Sequence, residues 1–248
     1  MTTRLKWLLL ALVLTVIAGI GAGAPHALRS MDSFNVKRVE IRGTRYLAPH
    51  EALRQSGITA ASNVFDDPES WQRSLERHPL VISARIERDL PSTVRILVTE
   101  ADPIALVRAP ELRPVRADGR VLPVDPAEVD LDLPVVSADP EAVDDGRVQD
   151  ARILDVTNTL AAIRNSQPVL YSWISDAAPA KDGGVRVLLR SPAGARVFVP
   201  VNPDARTLHE LWLALSDLAA RQDFARLATI DARYRHQVVV ALSSTAAR

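Results

Sequence analysis

The pattern of apolar and polar positions from Phe34 to Glu100 predicts the order strand, helix, helix, strand, strand. A short apolar strand from Phe34 to Ile41 ends at Gly43, and two helical stripes follow, each bracketed by proline or glycine. After Pro79 the period changes from helical to alternating, which is typical of half-buried strands. Three strands covered on one face by two helices form a two-layer domain of the α+β class.

The helices of this region have recognisable ends. Pro49 suits the first position of a helix, and Gly57 can end that helix in a left-handed cap. Asp67 followed by Pro68 repeats the start signal for a second helix, which Pro79 ends. In the strand that follows, the alternation predicts one core-facing set of side chains. That set is Leu80, Ile82, Ala84 and Ile86.

Residues 103–242 are predicted to form a mixed or antiparallel β domain with two helices. Frequent prolines from Arg108 to Val136 exclude continuous helix there, and Asp118–Gly119 marks a tight hairpin. The helices are predicted at Arg147–Arg164 and from Asn202–Pro203 onward, where apolar residues recur with helical spacing. The predicted strands are Leu112–Arg116, Arg120–Val124, Leu133–Val136, Val169–Ser175, Val185–Arg190, Arg196–Val201, Leu227–Arg233 and Gln237–Leu242.

An uncharged apolar segment precedes both regions. Its 19 residues, Trp7 to Pro25, contain Thr15 as their one polar side chain, close to the ~20 residues that a membrane-spanning helix needs. We interpret residues 1–6 as a cytoplasmic tail, 7–25 as a transmembrane helix, 26–33 as a linker and 243–248 as a C-terminal tail. A cleaved signal peptide is the alternative, since residues 22–24 are small enough for a cleavage site. Both interpretations export the remaining chain.

The amino-acid composition excludes several classes of partner and of chemistry. Thirty basic and thirty acidic residues cancel, so the chain has no overall field that would attract nucleic acid or an anionic membrane surface. The absence of cysteine removes disulfides, thiolate nucleophiles and cysteine-based metal sites. With 47% hydrophobic residues, the exported part can bury one or two modest cores.

No catalytic or cofactor motif is found along the chain. His209 and Glu210 begin an H-E-x-x-H pattern, but Leu213 occupies the place of its second histidine, which favours an ordinary pair on a helix surface. The acidic stretch 139–145 favours a solvated loop over a calcium site, because glycine and glutamate are not at ligand spacing. We therefore predict no catalytic, cofactor, metal or small-molecule site.

Backbone chemistry at the C-terminus is the remaining candidate. The last strand, Gln237–Leu242, is apolar and contains no proline. If it lies at a sheet edge, its free N–H and C=O groups can accept a strand from another protein. The alternative is an interior strand that is already paired on both sides, and the residues themselves leave both open.

Two stretches of the chain resemble a POTRA domain. One is the opening run that ends at Gly43, and the other is the pattern L…P.V..A.V.R.LP.T..I.V.E..P.A, which begins at Leu75. A POTRA domain after one short-tailed apolar segment, followed by a β-rich domain with Asp118–Gly119 and Leu133–Pro134, resembles the FtsQ/DivIB family of bacterial cell-division proteins. The closing run Ile230–Tyr234 is also similar to the last hairpin of that family.

This resemblance implies a non-enzymatic scaffold of the divisome. Its members are single-pass proteins of the inner membrane whose bulk is periplasmic at the division septum, and they bind FtsB and FtsL and help control septal peptidoglycan synthesis. By position, Arg233 would pair with an acidic partner residue and Tyr234 would pack at the turn. The implied partner-binding residues are Arg233, Tyr234, His236, Gln237, Val238, Val239, Val240 and Leu242.

Two residues depart from the family pattern, and two other functions are alternatives to this interpretation. His236 stands where small residues are more usual, and Leu242 stands where an aromatic residue can occur. A transport module is one alternative, since POTRA domains also deliver substrates to outer-membrane barrels, but it requires a barrel or several POTRA repeats. An exported hydrolase that uses scattered acidic residues is the other.

Overall fold

The computed structural model describes residues 31–108, 111–127, 129–139, 142–192, 194–234 and 237–243, together with Val13 and Thr15. The chain divides into two compact units between Ala101 and Asp102, which we call the N-terminal and C-terminal units. The predicted transmembrane segment lies outside the described residues, apart from Val13 and Thr15. Within the described part of the chain, no helix has both the length and the hydropathy needed to cross a membrane.

The N-terminal unit contains three strands and two helices in the predicted order. They are β1 (Arg38–Arg42), α1 (Pro49–Ser56), α2 (Pro68–Glu76), β2 (Val81–Asp89) and β3 (Thr93–Glu100). The central strand, β3, pairs parallel with β1 and antiparallel with β2. Its alternate residues Val94 and Ile96 are buried together with Leu75 of α2. The helices therefore cover one face of a three-stranded sheet, as the periodicity predicts.

Local signals mark the end of α1 and the start of α2 where the sequence predicts. Gly57 has φ 76°, the left-handed conformation of a C-cap, and its N–H donates to the Arg54 carbonyl. The Asp67 side chain accepts a hydrogen bond of 3.0 Å from the Glu69 N–H, which is the N-cap interaction. Both caps are confirmed.

Glu100, the last residue of β3, joins that strand to the loop between β1 and α1. Its carboxylate accepts three hydrogen bonds of 2.8 Å from the backbone N–H groups of Arg45, Tyr46 and Leu47. A carboxylate that binds several backbone donors makes hydrogen bonds stronger than neutral ones. The loop is thereby held against the end of the central strand.

Two sequence-based expectations for the N-terminal unit are wrong. The register between β2 and β3 shifts at the start of β2, and such a β-bulge exchanges the faces of the side chains before it. Val81 is consequently buried, whereas Ile82 is 52% exposed. The first strand begins at Arg38 rather than Phe34, because Phe34 lies in a 3-10 turn and packs its ring edge-on against Phe65.

The C-terminal unit is built on an eight-stranded mixed sheet. Its strands are β4 (Ala105–Arg108), β5 (Leu112–Val115), β6 (Val135–Val136), β9 (Ile174–Pro179), β10 (Val185–Leu189), β11 (Arg196–Val199), β12 (Leu227–Asp231) and β13 (Val239–Leu242). They lie in the order β13-β12-β11-β10-β9-β6-β4-β5. A separate small hairpin consists of β7 (Val143–Asp144) and β8 (Arg147–Val148). This hairpin occupies part of the acidic stretch that we predicted to be a loop.

Three helices belong to this unit, and the two long ones cover one face of the sheet. They are α3 (Ala151–Ser166), α4 (Pro168–Ser172) and α5 (Ala205–Ala220). One continuous core contains Leu160 and Ile163 of α3, Leu211 and Leu215 of α5, and alternate residues of β9 to β12. The intervening residues of those strands form the opposite face, which we call the open face.

The prediction of two helices misses α4. Val169–Ser175 was expected to be a strand, but Pro168 starts a new helical turn directly after α3, and β9 begins only at Ile174. The driving contact is Leu170, which is almost fully buried. A short apolar run does not distinguish a buried helical turn from a strand by periodicity.

Several element boundaries also differ from expectation. Asp150 caps α3 by accepting a hydrogen bond of 2.8 Å from the Arg152 N–H, so the helix starts four residues later than predicted. Asp204, and not Asn202, caps α5 through a 2.8 Å hydrogen bond from the Thr207 N–H. The Asp118–Gly119 turn forms as predicted, but Arg120–Val124 makes isolated bridges instead of a strand.

Candidate binding edge at the C-terminal strand

The last strand, β13, ends the eight-stranded sheet of the C-terminal unit. It pairs antiparallel with β12, which places Val240 opposite Ile230 and Val239 opposite Asp231. Among the described residues, no other strand pairs with β13. β13 is therefore an edge strand, and the alternative of an interior strand is excluded.

The edge is apolar and exposed. Val239 is 50% exposed, and Val240 and Leu242 are each 38% exposed. No charged residue or proline occurs within the strand, although natural proteins ordinarily protect long apolar edges with such residues. The arrangement leaves unpaired backbone groups beside apolar side chains, and such a surface is suited to pairing with a strand of another protein.

Both faces of the edge offer apolar contacts. On the helix-covered face, Val240 and Leu242 lie beside Ile230 and Leu227, which are buried. On the open face, β12 and β13 border a shallow groove. The groove is lined by Thr229, Asp231, Tyr234, Gln237, Val239 and Ala241. A strand added to β13 would thus meet side chains on both of its own faces.

Arg233 organises the chain just before this edge. Its guanidinium contacts Asp231 at 2.7 Å and Asp182 at 3.2 Å, and it donates a 2.8 Å hydrogen bond to the Gly183 carbonyl. The guanidinium carbon also lies 4.8 Å from the centre of the Phe198 ring, within the range of a cation–π interaction. We call Arg233, Asp231 and Asp182 the arginine cluster.

The cluster shifts the ionisation of its members in the direction expected for paired charges. Hydrogen bonding from Arg233 is the main cause that lowers the pKa of Asp231, against a smaller opposing effect of burial. The same side chain lowers the pKa of Asp182, and the two carboxylates raise the pKa of Arg233. All three groups are therefore charged at neutral pH.

Acid is expected to weaken the arginine cluster. Because the pKa of Asp231 is lower in the folded chain than in the unfolded chain, the cluster stabilises the fold fully above the ordinary aspartate pKa of about 3.9. That stabilisation is lost as the pH falls through the folded-state value. Urea unfolding from about pH 6 to about pH 2 should show the parent chain and Asp231→Asn converging in acid. A difference in unfolding free energy that is the same at every pH would contradict this role.

The predicted binding residues are unequally placed. Tyr234 is 57% exposed and Gln237 is exposed, and both border the groove at the edge. Val238 is half-buried and packs against the core, so it supports the edge from inside. His236 lies outside the described residues. The acidic pairing implied for Arg233 is already made within the chain.

The strands at this hairpin are shorter than predicted for a local reason. The Asp231 carboxylate accepts a 3.0 Å hydrogen bond from the Arg233 backbone N–H, which is an Asx turn that diverts the backbone from the ladder. β12 therefore ends at Asp231 rather than Arg233, and β13 begins at Val239 rather than Gln237.

Sequence analysis missed the two aspartates of the cluster. Asp231 and Arg233 are two residues apart, a spacing that could have suggested the Asx turn. Asp182 is 51 residues from Arg233 along the chain, and it is brought near only by the sheet. Within the described residues, no group of three or more histidines or acids is placed to hold a metal, and Glu210 binds Arg206 on the surface of α5.

Comparison with known proteins finds similarity to FtsQ and DivIB proteins. Residues 34–101 match the family model described as "POTRA domain, FtsQ-type". The FtsQ cell-division protein of Syntrophotalea carbinolica is 31% identical over 125 residues, which are 50% of this chain and 44% of that protein. FtsQ of Rhodothermus marinus is 29% identical over 219 residues, 85% and 78% of the two chains. Residues 34–101 are thus similar to an FtsQ-type POTRA domain, and most of the chain is similar to an FtsQ protein.

The matches to FtsQ and DivIB proteins differ in extent. DivIB of Geobacillus kaustophilus is 33% identical over 89 residues, 35% of this chain and 34% of that protein. The chain spans less than half the length of the Syntrophotalea relative but most of the Rhodothermus FtsQ. These relatives are named as cell-division proteins.

Proposed function

We propose that this chain is a non-enzymatic divisome scaffold that binds a partner of the FtsB/FtsL type by adding a partner strand to β13, and that it helps control septal peptidoglycan synthesis. The single observation that carries the proposal is the exposed, apolar and unprotected edge at Val239–Leu242. The family match to cell-division proteins favours this function over transport.

Backbone pairing would supply the affinity at the edge. About half of the N–H and C=O groups of an edge strand point away from its one neighbour and are available to an added strand. Alternate side chains then give specificity. Val240 and Leu242 on one face, and Val239 with Tyr234 on the other, supply the apolar contacts.

In this proposal Arg233 acts mainly as a positioning residue. Its bonds to Asp231, Asp182 and the Gly183 carbonyl hold the backbone at the entry to the terminal turn. A preorganised edge binds more tightly because less conformational entropy is lost on association. Tyr234, which is exposed directly after the arginine cluster, is the aromatic anchor, the type of residue that commonly dominates interfaces.

Membrane attachment completes the proposal. The segment Trp7–Pro25 would be retained as a single transmembrane helix, with residues 1–6 inside and both units on the outer side of the inner membrane. Protease added to intact spheroplasts should then digest the two units. Full protection of the chain in that assay would contradict this placement.

Proline substitutions at two adjacent positions test strand addition. Neighbouring residues of a strand direct their N–H groups to opposite sides. Of the two variants Val239→Pro and Val240→Pro, one therefore removes an N–H group that faces away from the sheet, and the other removes an N–H group that faces β12. The outward-facing variant is expected to lose binding of an FtsB-type peptide by tenfold or more. Calorimetric titration of the full chain measures this loss.

Threonine at the same two positions provides the matched control, since it is β-branched like valine and keeps the N–H group. Amide hydrogen exchange in β12 identifies which proline variant leaves the β12–β13 pairing intact. If the variant with an intact β12 ladder binds the peptide as tightly as the parent chain, strand addition at β13 is wrong.

A further inference from the structure

A basic groove crosses the open face of the C-terminal unit. Its basic residues are Lys181, Arg186 and Arg196, and its remaining lining includes Pro179, Asp182 and Phe198. None of these residues belongs to β13 or was singled out by the sequence analysis. We call this surface the basic groove.

The register of the sheet explains how the basic groove is assembled. On β10 and β11, Arg186 lies opposite Phe198, and Arg196 lies opposite Leu188. The intervening residues, such as Val187, are buried under the helices. The two arginines therefore share the open face with an aromatic ring, which forms the apolar part of the groove.

The positive charge of the groove is poorly balanced within the chain. Among the described residues, Lys181, Arg186 and Arg196 form no salt bridge with a carboxylate, and the one acid that lines the groove, Asp182, is bound by Arg233. Asp176 interacts electrostatically with Arg186 but forms no salt bridge with it, and its carboxylate accepts a 3.1 Å hydrogen bond from Ser137. The groove thus carries a net positive charge beside an apolar floor.

One nitrogen in the groove lacks a partner. The Nε atom of Arg186 is buried and makes no hydrogen bond to any described residue. A buried donor without an acceptor is costly, and an arginine guanidinium matches a carboxylate through two parallel N–H···O bonds. A carboxylate entering the groove would pair with the charge of the Arg186 guanidinium, which forms no salt bridge with a described residue.

We propose that the basic groove binds an acidic segment of a partner polypeptide, with a side-chain carboxylate on Arg186 and a neighbouring apolar side chain on Phe198. The positive charge selects acid, and the ring beside it favours a polypeptide over a small anion. The groove uses side chains of β10 and β11, whereas strand addition uses the backbone of β13, so this interaction goes beyond the proposed function.

The two surfaces are adjacent. A row of residues on the open face runs across the sheet from the basic groove to the edge. The row consists of Ala178, Arg186, Phe198, Asp231 and Val239. A partner whose strand pairs with β13 could therefore extend an acidic flanking segment into the groove, although groove binding does not depend on strand pairing.

Two eight-residue peptides test the proposal on the full chain. One alternates glutamate with valine, and the other replaces every glutamate with glutamine. Binding is measured by fluorescence anisotropy at low and at high salt. The glutamate peptide is expected to bind at least about tenfold more tightly than the glutamine peptide, and more weakly as salt increases.

Substitutions locate the site. Arg186→Gln is expected to weaken binding of the glutamate peptide about tenfold. Arg206→Gln is the matched control, because Arg206 lies on α5, on the other side of the sheet, where it pairs with Glu210; this variant should bind like the parent chain. Amide exchange in β10 checks that Arg186→Gln remains folded.

Any of three results would contradict binding of an acidic segment in the groove. Two are equal affinity for both peptides and unchanged affinity in folded Arg186→Gln. The third is displacement of the peptide by millimolar inorganic phosphate, which would show a simple anion site. Of the two variants Val239→Pro and Val240→Pro, the one that keeps the β12–β13 pairing should still bind the glutamate peptide. Loss of the FtsB-type peptide with retained binding of the glutamate peptide would therefore affect β13 alone, whereas loss of groove binding would leave strand addition at β13 intact.

Discussion

Replacing Gly43 with alanine is expected to destabilise the N-terminal unit by about 3 kcal/mol or more. Gly43 follows β1 with φ 85°, a conformation that side chains other than glycine rarely adopt. A Cβ atom there would lie 2.1 Å from the carbonyl oxygen of Val98, in the middle of the central strand. Because the obstacle is backbone and not a flexible side chain, β1 and β3 would have to separate.

Gly57→Ala is the matched control for this prediction. Gly57 also has positive φ, 76°, but a Cβ atom there meets nothing within 4 Å. Its substitution should cost only the backbone strain, about 1–2 kcal/mol. Amide hydrogen exchange in the full chain, analysed separately for residues 34–101 and 102–243, would measure the stability of each unit. Equal effects of the two substitutions would show that the contact with Val98 is not important.

Replacing Gly184 with alanine is expected to damage the candidate site itself. Gly184 has φ 81°, and a Cβ atom there would lie 2.5 Å from the Val199 carbonyl oxygen and 3.0 Å from Cδ of Arg233. We expect a loss of about 2–4 kcal/mol of stability in the C-terminal unit. Because Arg233 must also move, binding of an FtsB-type peptide should weaken.

Gly183→Ala separates the steric effect from the backbone effect. Gly183 precedes Gly184 with φ 93°, and its substitution meets open space. Its carbonyl, which accepts from Arg233, is kept. Peptide titration and hydrogen exchange should therefore show a small stability loss and nearly normal binding. If Gly184→Ala binds the peptide as well as Gly183→Ala does, the arginine cluster does not position the edge.

The N-terminal unit was largely predictable because its signals are local. Pro49, Gly57 and Asp67 act on the backbone within a few residues of themselves, so their effects do not depend on distant neighbours. The exposure of Ile82 was not predictable in this way. A bulge depends on how β2 pairs with β3, and alternation along a single strand contains no information about its partner.

The C-terminal unit was predicted less completely. Its terminal strand and its α5 helix have clear periodicity, but Val169–Ser175 does not, and burial of Leu170 made helix α4 where a strand was expected. The pairing of Arg233 with Asp182 joins residues 51 positions apart. No spacing rule could suggest that contact before the order of the strands was known.

Residue order alone established the α+β class, the helix caps at Gly57 and Asp67, the lack of cysteine chemistry and the apolar character of the last strand. Each of these depends on side-chain type or on neighbours a few positions away. The place of β13 at the sheet edge, the internal partners of Arg233 and the basic groove around Arg186 arose only when distant strands came together. Hydrogen bonding and charge balance act through space, and they depend on which strands are adjacent in the folded sheet.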